Sequence, residues 1–190
     1  VDVVQLREKN RSASELLPLA EELAGACGEG DNAALFTVND DLELARLCAG
    51  AGFDCGIHLG QEDSSTAEAR EALGVEAVVG RSAGTVEEAR QALGNGADYL
   101  GVGAVYATPT KPDGDVGGLE LLRSLSSEQP PVPWFAIGGV TLQTAAEVAA
   151  AGAPGFAVVR AVLDADDPAA AARELRSHLP PGPQTASAAV

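Results

Sequence analysis

This chain carries two lysines, Lys9 and Lys111, and both stand among residues able to bind anions. Lys9 closes the stretch QLREK. Period-two alternation along a strand puts Gln5, Arg7 and Lys9 on one face and Leu6 on the other. Two cations on one face of a strand tip suit a polyanion; the competing reading is an edge strand fringed with charge. Asn39 and Asp40 end the next apolar run, and Asp63 follows the one after it, in HLGQED. Hard carboxylates on neighbouring strand ends suit Mg2+, which keeps several waters and bridges substrate phosphates. Each aspartate is also a natural helix N-cap, and it is the cations beside them that favour the metal. Ser82, in GRSAGT, offers a hydroxyl after a further strand.

Lys111 sits in VYATPTKPDGD with Thr108, Pro109 and Thr110, where the prolines at 109 and 112 restrict the backbone that carries them. Gly138 and Gly139, in AIGGV, let backbone N–H groups approach an anion, and the following helix adds its positive end. Arg160, in VVRA, would add a fork of donors. These groups form two anion sites, a phosphate at Gly139 and Arg160 and a polyanion with Mg2+ among Arg7, Lys9, Asn39, Asp40, Asp63, Ser82 and Lys111. His58 lies mid-strand and reads as a core or supporting histidine.

Short β-branched runs at 1–7, 33–38, 54–59, 76–80, 98–103, 133–138 and 155–160 alternate with amphipathic helices. The helices fall near 13–26, 41–51, 65–73, 86–95, 117–127, 142–151 and 167–178. The capping pattern S/T/D-x-x-E marks four starts: Ser12 with Glu15, Asp40 with Glu43, Ser65 with Glu68 and Thr85 with Glu88. Apolar strands alternating with helices predict an α/β protein with a parallel, helix-covered sheet. Seven units are one short of a TIM (β/α)8 barrel. The chain has no Met and opens on Val1 within an apolar run. The expectation is therefore a fragment lacking a first strand and helix of about 25–30 residues. Residues 1–179 would form a single, N-terminally incomplete barrel domain, and 180–190, ending PPGPQTASAAV, a disordered tail.

Twelve basic against 28 acidic residues give a net charge of −16. That balance argues against nucleic acid and anionic membranes, and it fits a chain kept soluble by carboxylates, as in a salty cytosol. No apolar run reaches the ~20 residues that span a bilayer. Cys27, Cys48 and Cys55 form no C-x-x-C and are odd in number, which argues for reduced thiols and a cytoplasmic location. With two histidines and no His/Cys cluster, zinc is not expected.

Taken together, QLREK, ND followed by HLGQED, GRSAGT, GADYLGVGAVYATPTK, AIGGV and VVRAV resemble the thiamine phosphate synthase family, in family order from about residue 3 to residue 163. The resemblance implies a transferase that joins a pyrimidine methyl diphosphate to a thiazole phosphate and releases pyrophosphate with Mg2+. By motif, Gln5, Arg7, Lys9, Asn39, Ser82 and Lys111 would bind the pyrimidine diphosphate, and Leu6 and Glu8 of the same stretch count among the substrate-binding residues. Arg7, Lys9, Lys111 and Ser82 would be the catalytic set, and Asp40 and Asp63 would hold the metal. Thr108, Pro109, Thr110, Gly139, Val159 and Arg160 would bind the thiazole phosphate. Departure of the diphosphate needs charge stabilisation rather than a general base, and the sequence offers cations without an obvious acid–base set. Partners beyond these small molecules are not implied, although a homo-oligomer is compatible.

The chain departs from the pattern at Gly84, where a His is common, at Arg160, where many relatives have Ser, and in the longer segment LCAGAGFDCG. Two rivals stand beside this reading: a thiazole tautomerase-like paralogue that uses a histidine base, and a non-catalytic phosphate-binding barrel.

Overall fold

The computed structural model describes residues 1–28, 33–107 and 116–180. The chain divides into two compact units, Val1–Val102 with Pro131–Pro133, and Gly103–Pro130 with Trp134–Val190.

In the first unit strands and helices alternate as β1 (Val3–Leu6), α1 (Ala13–Ala26), β2 (Leu35–Asn39), α2 (Leu42–Ala51), β3 (Gly56–Leu59), α3 (Thr66–Leu73), β4 (Val79–Ala83), α4 (Val86–Gly94) and β5 (Tyr99–Val102). Each strand pairs in parallel with the next, in chain order. The register sets Gln5 beside Thr37, Asn39 beside His58, His58 beside Gly80, and Ser82 beside Gly101. All four residues of β3 and all four of β5 are buried, as strands covered on both faces must be. Helix faces built on Ala13, Leu16 and Ala20, and on Leu44, Ala45 and Cys48, share one core with Phe36 and Val38 of β2 and with Ile57 and Leu59 of β3. Small side chains let these helices lie close to the strands. The three cysteines are free thiols; Cys48 is fully buried and Cys55 packs against the core.

The second unit holds α5 (Gly118–Ser127), β6 (Trp134–Ile137), α6 (Ala145–Ala150), β7 (Phe156–Ala157), α7 (Arg160–Leu163) and α8 (Pro168–Ser177). β6 and β7 are parallel, with Ala136 beside Phe156 and Ile137 beside Ala157. The parallel α/β class expected from the sequence is what both units show.

Three expectations are corrected. The fourth strand, read at 76–80, lies at Val79–Ala83. Its start is fixed by the Asp98 carboxylate, which accepts the Val79 N–H at 2.7 Å and is itself held by Arg70 at 2.9 Å. The last strand, read at 155–160, ends at Ala157, and a four-residue helix begins at Arg160. The helix expected from 142 begins at Ala145, because Thr141 and Thr144 first close a turn of their own, with the Thr141 N–H donating to Thr144 Oγ1 at 3.0 Å. Among the described residues no helix is long and apolar enough to cross a membrane.

Candidate active site

At the carboxyl ends of the first unit's strands, β1, read at 1–7, ends at Leu6, so alternation places Gln5 and Leu6 on opposite faces while Arg7 and Lys9 lie beyond the strand rather than on its face. Gln5 is exposed, while Leu6 packs against the core. Arg7, Glu8 and Lys9 continue into solvent, and Glu8 turns back to accept the Asn10 N–H at 2.8 Å. Lys9 reaches the neighbouring strand end, where its Nζ donates to Asp40 Oδ2 at 3.1 Å; Asn39 Nδ2 donates to the same oxygen at 2.7 Å. The salt bridge is exposed, 56% at the lysine and 30% at the aspartate. Such a pair adds at most about 1 kcal/mol to stability, so folding alone gives little reason to assemble it.

Asp40 is not the cap of α2, against the expectation that paired it with Glu43. That task falls to Asp41, whose Oδ1 accepts the Leu44 N–H at 2.9 Å. Asp40 has φ 53, in the left-handed region that a non-glycine residue rarely adopts. Its own N–H donates to the His58 carbonyl at 2.9 Å, which ties the turn to β3. Asp63 is not a cap either. Ser65 caps α3 in a capping box with Glu68, and Asp63 Oδ2 accepts the Gly60 N–H at 2.6 Å. The competing assignment of both aspartates therefore falls away. Among the described residues no three His, Cys, Asp or Glu side chains gather to hold a metal. Two carboxylates are nevertheless enough for an ion that keeps its waters and meets substrate phosphates.

Ser82 lies within β4 rather than after it. Its hydroxyl meets His58 Nε2 at 3.0 Å, and His58 Nδ1 meets the Tyr99 hydroxyl at 3.2 Å. Gln61 Nε2 holds the Ser82 carbonyl at 2.6 Å, and Arg81 is turned to the Ser64 carbonyl at 2.8 Å. Glycines on β4 and β5 make room for the rings. A Cβ on Gly80 would overlap Tyr99 Cζ, and one on Gly101 would lie 3.1 Å from His58 Cε1. Burial pushes the Tyr99 phenol up to about 12, against a smaller opposite pull from Thr37 and Gln5. Tyr99 thus keeps its proton at neutral pH. The sequence reading placed His58 in the interior but missed Tyr99; glycines inside two apolar strands were the available signal for a close approach.

The second unit carries the Gly-Gly turn. Gly138 has φ 95 and Gly139 φ 68, and a Cβ on either would stand 2.7 Å from its neighbour, Ala104 Cβ for the first and Tyr106 Cβ for the second. Val105 and Tyr106 N–H groups donate to the Ile137 and Gly138 carbonyls, both at 2.9 Å. The helix after this turn does not add its end directly, since five positions separate Gly139 from Ala145. Val159 stands just before α7 and Arg160 begins it, both exposed. Thr108, Pro109, Thr110 and Lys111 lie outside the described residues, as does 181–190 of the expected tail.

The family described as thiamine monophosphate synthase matches residues 1–162. A thiamine-phosphate synthase of Haloarcula marismortui is 45% identical over 96% of this chain and 85% of its own length. One from Synechococcus sp. WH7803 is 43% identical over 92% of this chain, which spans 48% of that longer relative. Among solved structures, the thiamine phosphate pyrophosphorylase of Pyrococcus furiosus superposes with a TM-score of 0.79. It is 37% identical and covers 93% of this chain and 81% of its own.

Proposed function

This chain belongs to the thiamine monophosphate synthase family, and on that premise we propose how its residues carry out the synthase reaction. A pyrimidine methyl diphosphate binds at the strand ends of the first unit, and a thiazole phosphate binds at the Gly-Gly turn and Arg160 of the second. The carbon–oxygen bond to the diphosphate breaks, and the electron pair leaves with pyrophosphate. The thiazole nitrogen then captures the pyrimidine methylene cation to give thiamine phosphate. No proton has to be removed for this exchange, which accords with a site rich in cations and poor in bases.

The observation that carries the reading is the cluster of Lys9, Asn39 and Asp40 on adjacent strand ends, with Asp40 in a left-handed conformation and excused from capping. Backbone strain of this kind costs of order 1–3 kcal/mol and collects where function demands it. Asp40 and Asp63 would hold Mg2+, which when bound would neutralise charge on the diphosphate. Arg7 and Lys9 would meet the same anion; Lys111, outside the described residues, is assigned to it by its motif alone. Ser82 is the hydroxyl donor of the site. With the Tyr99 phenol donating to His58 Nδ1, His58 Nε2–H donates to Ser82 Oγ, which leaves the serine proton to meet the substrate.

The same chain of bonds weighs against the tautomerase rival. That chemistry asks for a histidine base open to substrate, whereas His58 is 7% exposed with Tyr99 and Ser82 on its two ring nitrogens.

The test is Asp40→Asn. We expect the variant to melt within a degree or two of the parent, since Asp41 keeps the cap, and turnover to fall with a rightward shift of the Mg2+ titration. A variant that melts early and keeps its activity and metal response would overturn the assignment.

A further inference from the structure

Tyr106 holds both the Gly-Gly turn of the second unit and the helix that follows it. Its backbone N–H donates to the Gly138 carbonyl at 2.9 Å, and its hydroxyl donates to Glu147 Oε1 at 2.5 Å. Glu147 lies on α6, the helix that follows the turn. One residue therefore ties together the two ends of the segment 138–147. Within that segment the Thr141–Thr144 turn supplies the remaining order, through the Thr141 N–H to Thr144 Oγ1 and the Ala145 N–H to the Thr141 carbonyl at 2.9 Å. Gly139 is moulded against the same tyrosine. A Cβ there would lie 2.7 Å from Tyr106 Cβ and 3.2 Å from the Ala107 carbonyl oxygen.

Consecutive glycines with positive φ make a turn with more freedom to lose than any other. Its N–H groups face one direction only when neighbouring groups hold them there. A hydrogen bond to a carboxylate is about twice as strong as one between neutral groups, so the Tyr106–Glu147 bond suits that task. Burial and the Glu147 carboxylate push the Tyr106 phenol up to about 12, so the donor keeps its proton throughout the neutral range.

We propose that Tyr106 and Glu147 are positioning residues, a clamp that fixes the Gly138–Gly139 turn as the receptor for the thiazole phosphate. The inference rests on the assignment of that phosphate to this turn. Neither side chain needs to touch the reacting atoms, and the clamp acts through the backbone it holds.

Three variants test it: Tyr106→Phe, Glu147→Ala and Glu147→Gln. The measurements are KM for each substrate, calorimetric affinity for inorganic phosphate, and melting temperature. Loss of one hydrogen bond to a charged group should raise KM for the thiazole phosphate on the order of 10- to 100-fold in Tyr106→Phe and Glu147→Ala. Phosphate affinity should weaken in step, while KM for the pyrimidine diphosphate and the melting temperature stay in place. Glu147→Gln, whose amide oxygen still accepts, should recover most of the affinity. Unchanged KM values, or equal rises in both with a lowered melting temperature, would overturn the clamp. If the parent chain makes no thiamine phosphate while Tyr106→Phe still loses inorganic phosphate, the functional reading fails and the clamp stands. If synthesis proceeds and the variants bind phosphate as the parent does, the clamp alone fails.

Discussion

Tyr99 shows how one buried hydroxyl can serve packing and the site together. Its ring fills the space that Gly80 leaves, its hydroxyl meets His58, and His58 meets Ser82. Because burial raises its phenol from the ordinary 10.0 to about 12, the folded state holds this proton where the unfolded chain has begun to release it. The stabilisation is complete below pH 10 and fades as the pH rises through about 12. Denaturation followed across this range should show stability falling with alkali in the parent, and Tyr99→Phe should flatten that fall. An identical alkaline slope in both proteins would remove Tyr99 from the account. Asp40 makes the complementary point. Its type and place were readable from the sequence, but the pairing with Glu43 made it the cap of α2, a task that Asp41 performs. Only the backbone turn at φ 53 decides which of them is spent on the helix.

At the scale of elements, the glycines in β4 and β5 are the parts most exposed to failure. An added methyl group in a filled interior costs about 1–3 kcal/mol, and Gly80→Ala drives one into Tyr99. Gly80→Ala should therefore lower stability by that amount, and the loss should shrink when Tyr99→Ala is combined with it, since residues in contact are not additive. Additive losses would show that the two do not share space. The alternation of strand and helix was legible because apolar runs and capping patterns punctuate the chain, as at Ser12, Ser65 and Thr85. Register was not. The run EAVVG offers several equivalent frames, and the choice is made by Asp98, nineteen positions from the Val79 N–H it accepts. GFAVVR fails for a related reason, since β-branched residues argue for a strand while local hydrogen bonds to the Val159 carbonyl turn the chain into α7. The candidate site could be proposed from the sequence where its motifs are contiguous, as in QLREK and AIGGV. It was hidden where a supporting group comes from elsewhere in the chain, as Tyr99 does for His58 and Glu147 for Tyr106.

For the molecule as a whole, a net charge of −16 sets a condition on how it can bind phosphorylated substrates. Its general field repels anions, so recognition of a phosphorylated substrate has to rest on short-range contacts, to which the proposed Mg2+ would add. Several cations are committed to structure: Arg70 to Asp98, Arg81 to Ser64, and Arg123 to Glu120. Arg7, by contrast, makes no hydrogen bond to a described residue, and among the described residues Lys9 pairs with the carboxylate proposed for the metal. The direct measurement is to give the purified chain the pyrimidine methyl diphosphate, the thiazole phosphate and Mg2+, and to follow thiamine phosphate and pyrophosphate together. The account predicts that both appear in equal amounts, that omitting either substrate abolishes thiamine phosphate, and that a chelator stops the reaction until Mg2+ is restored. No thiamine phosphate from the complete mixture, or a rate indifferent to the chelator, would contradict it.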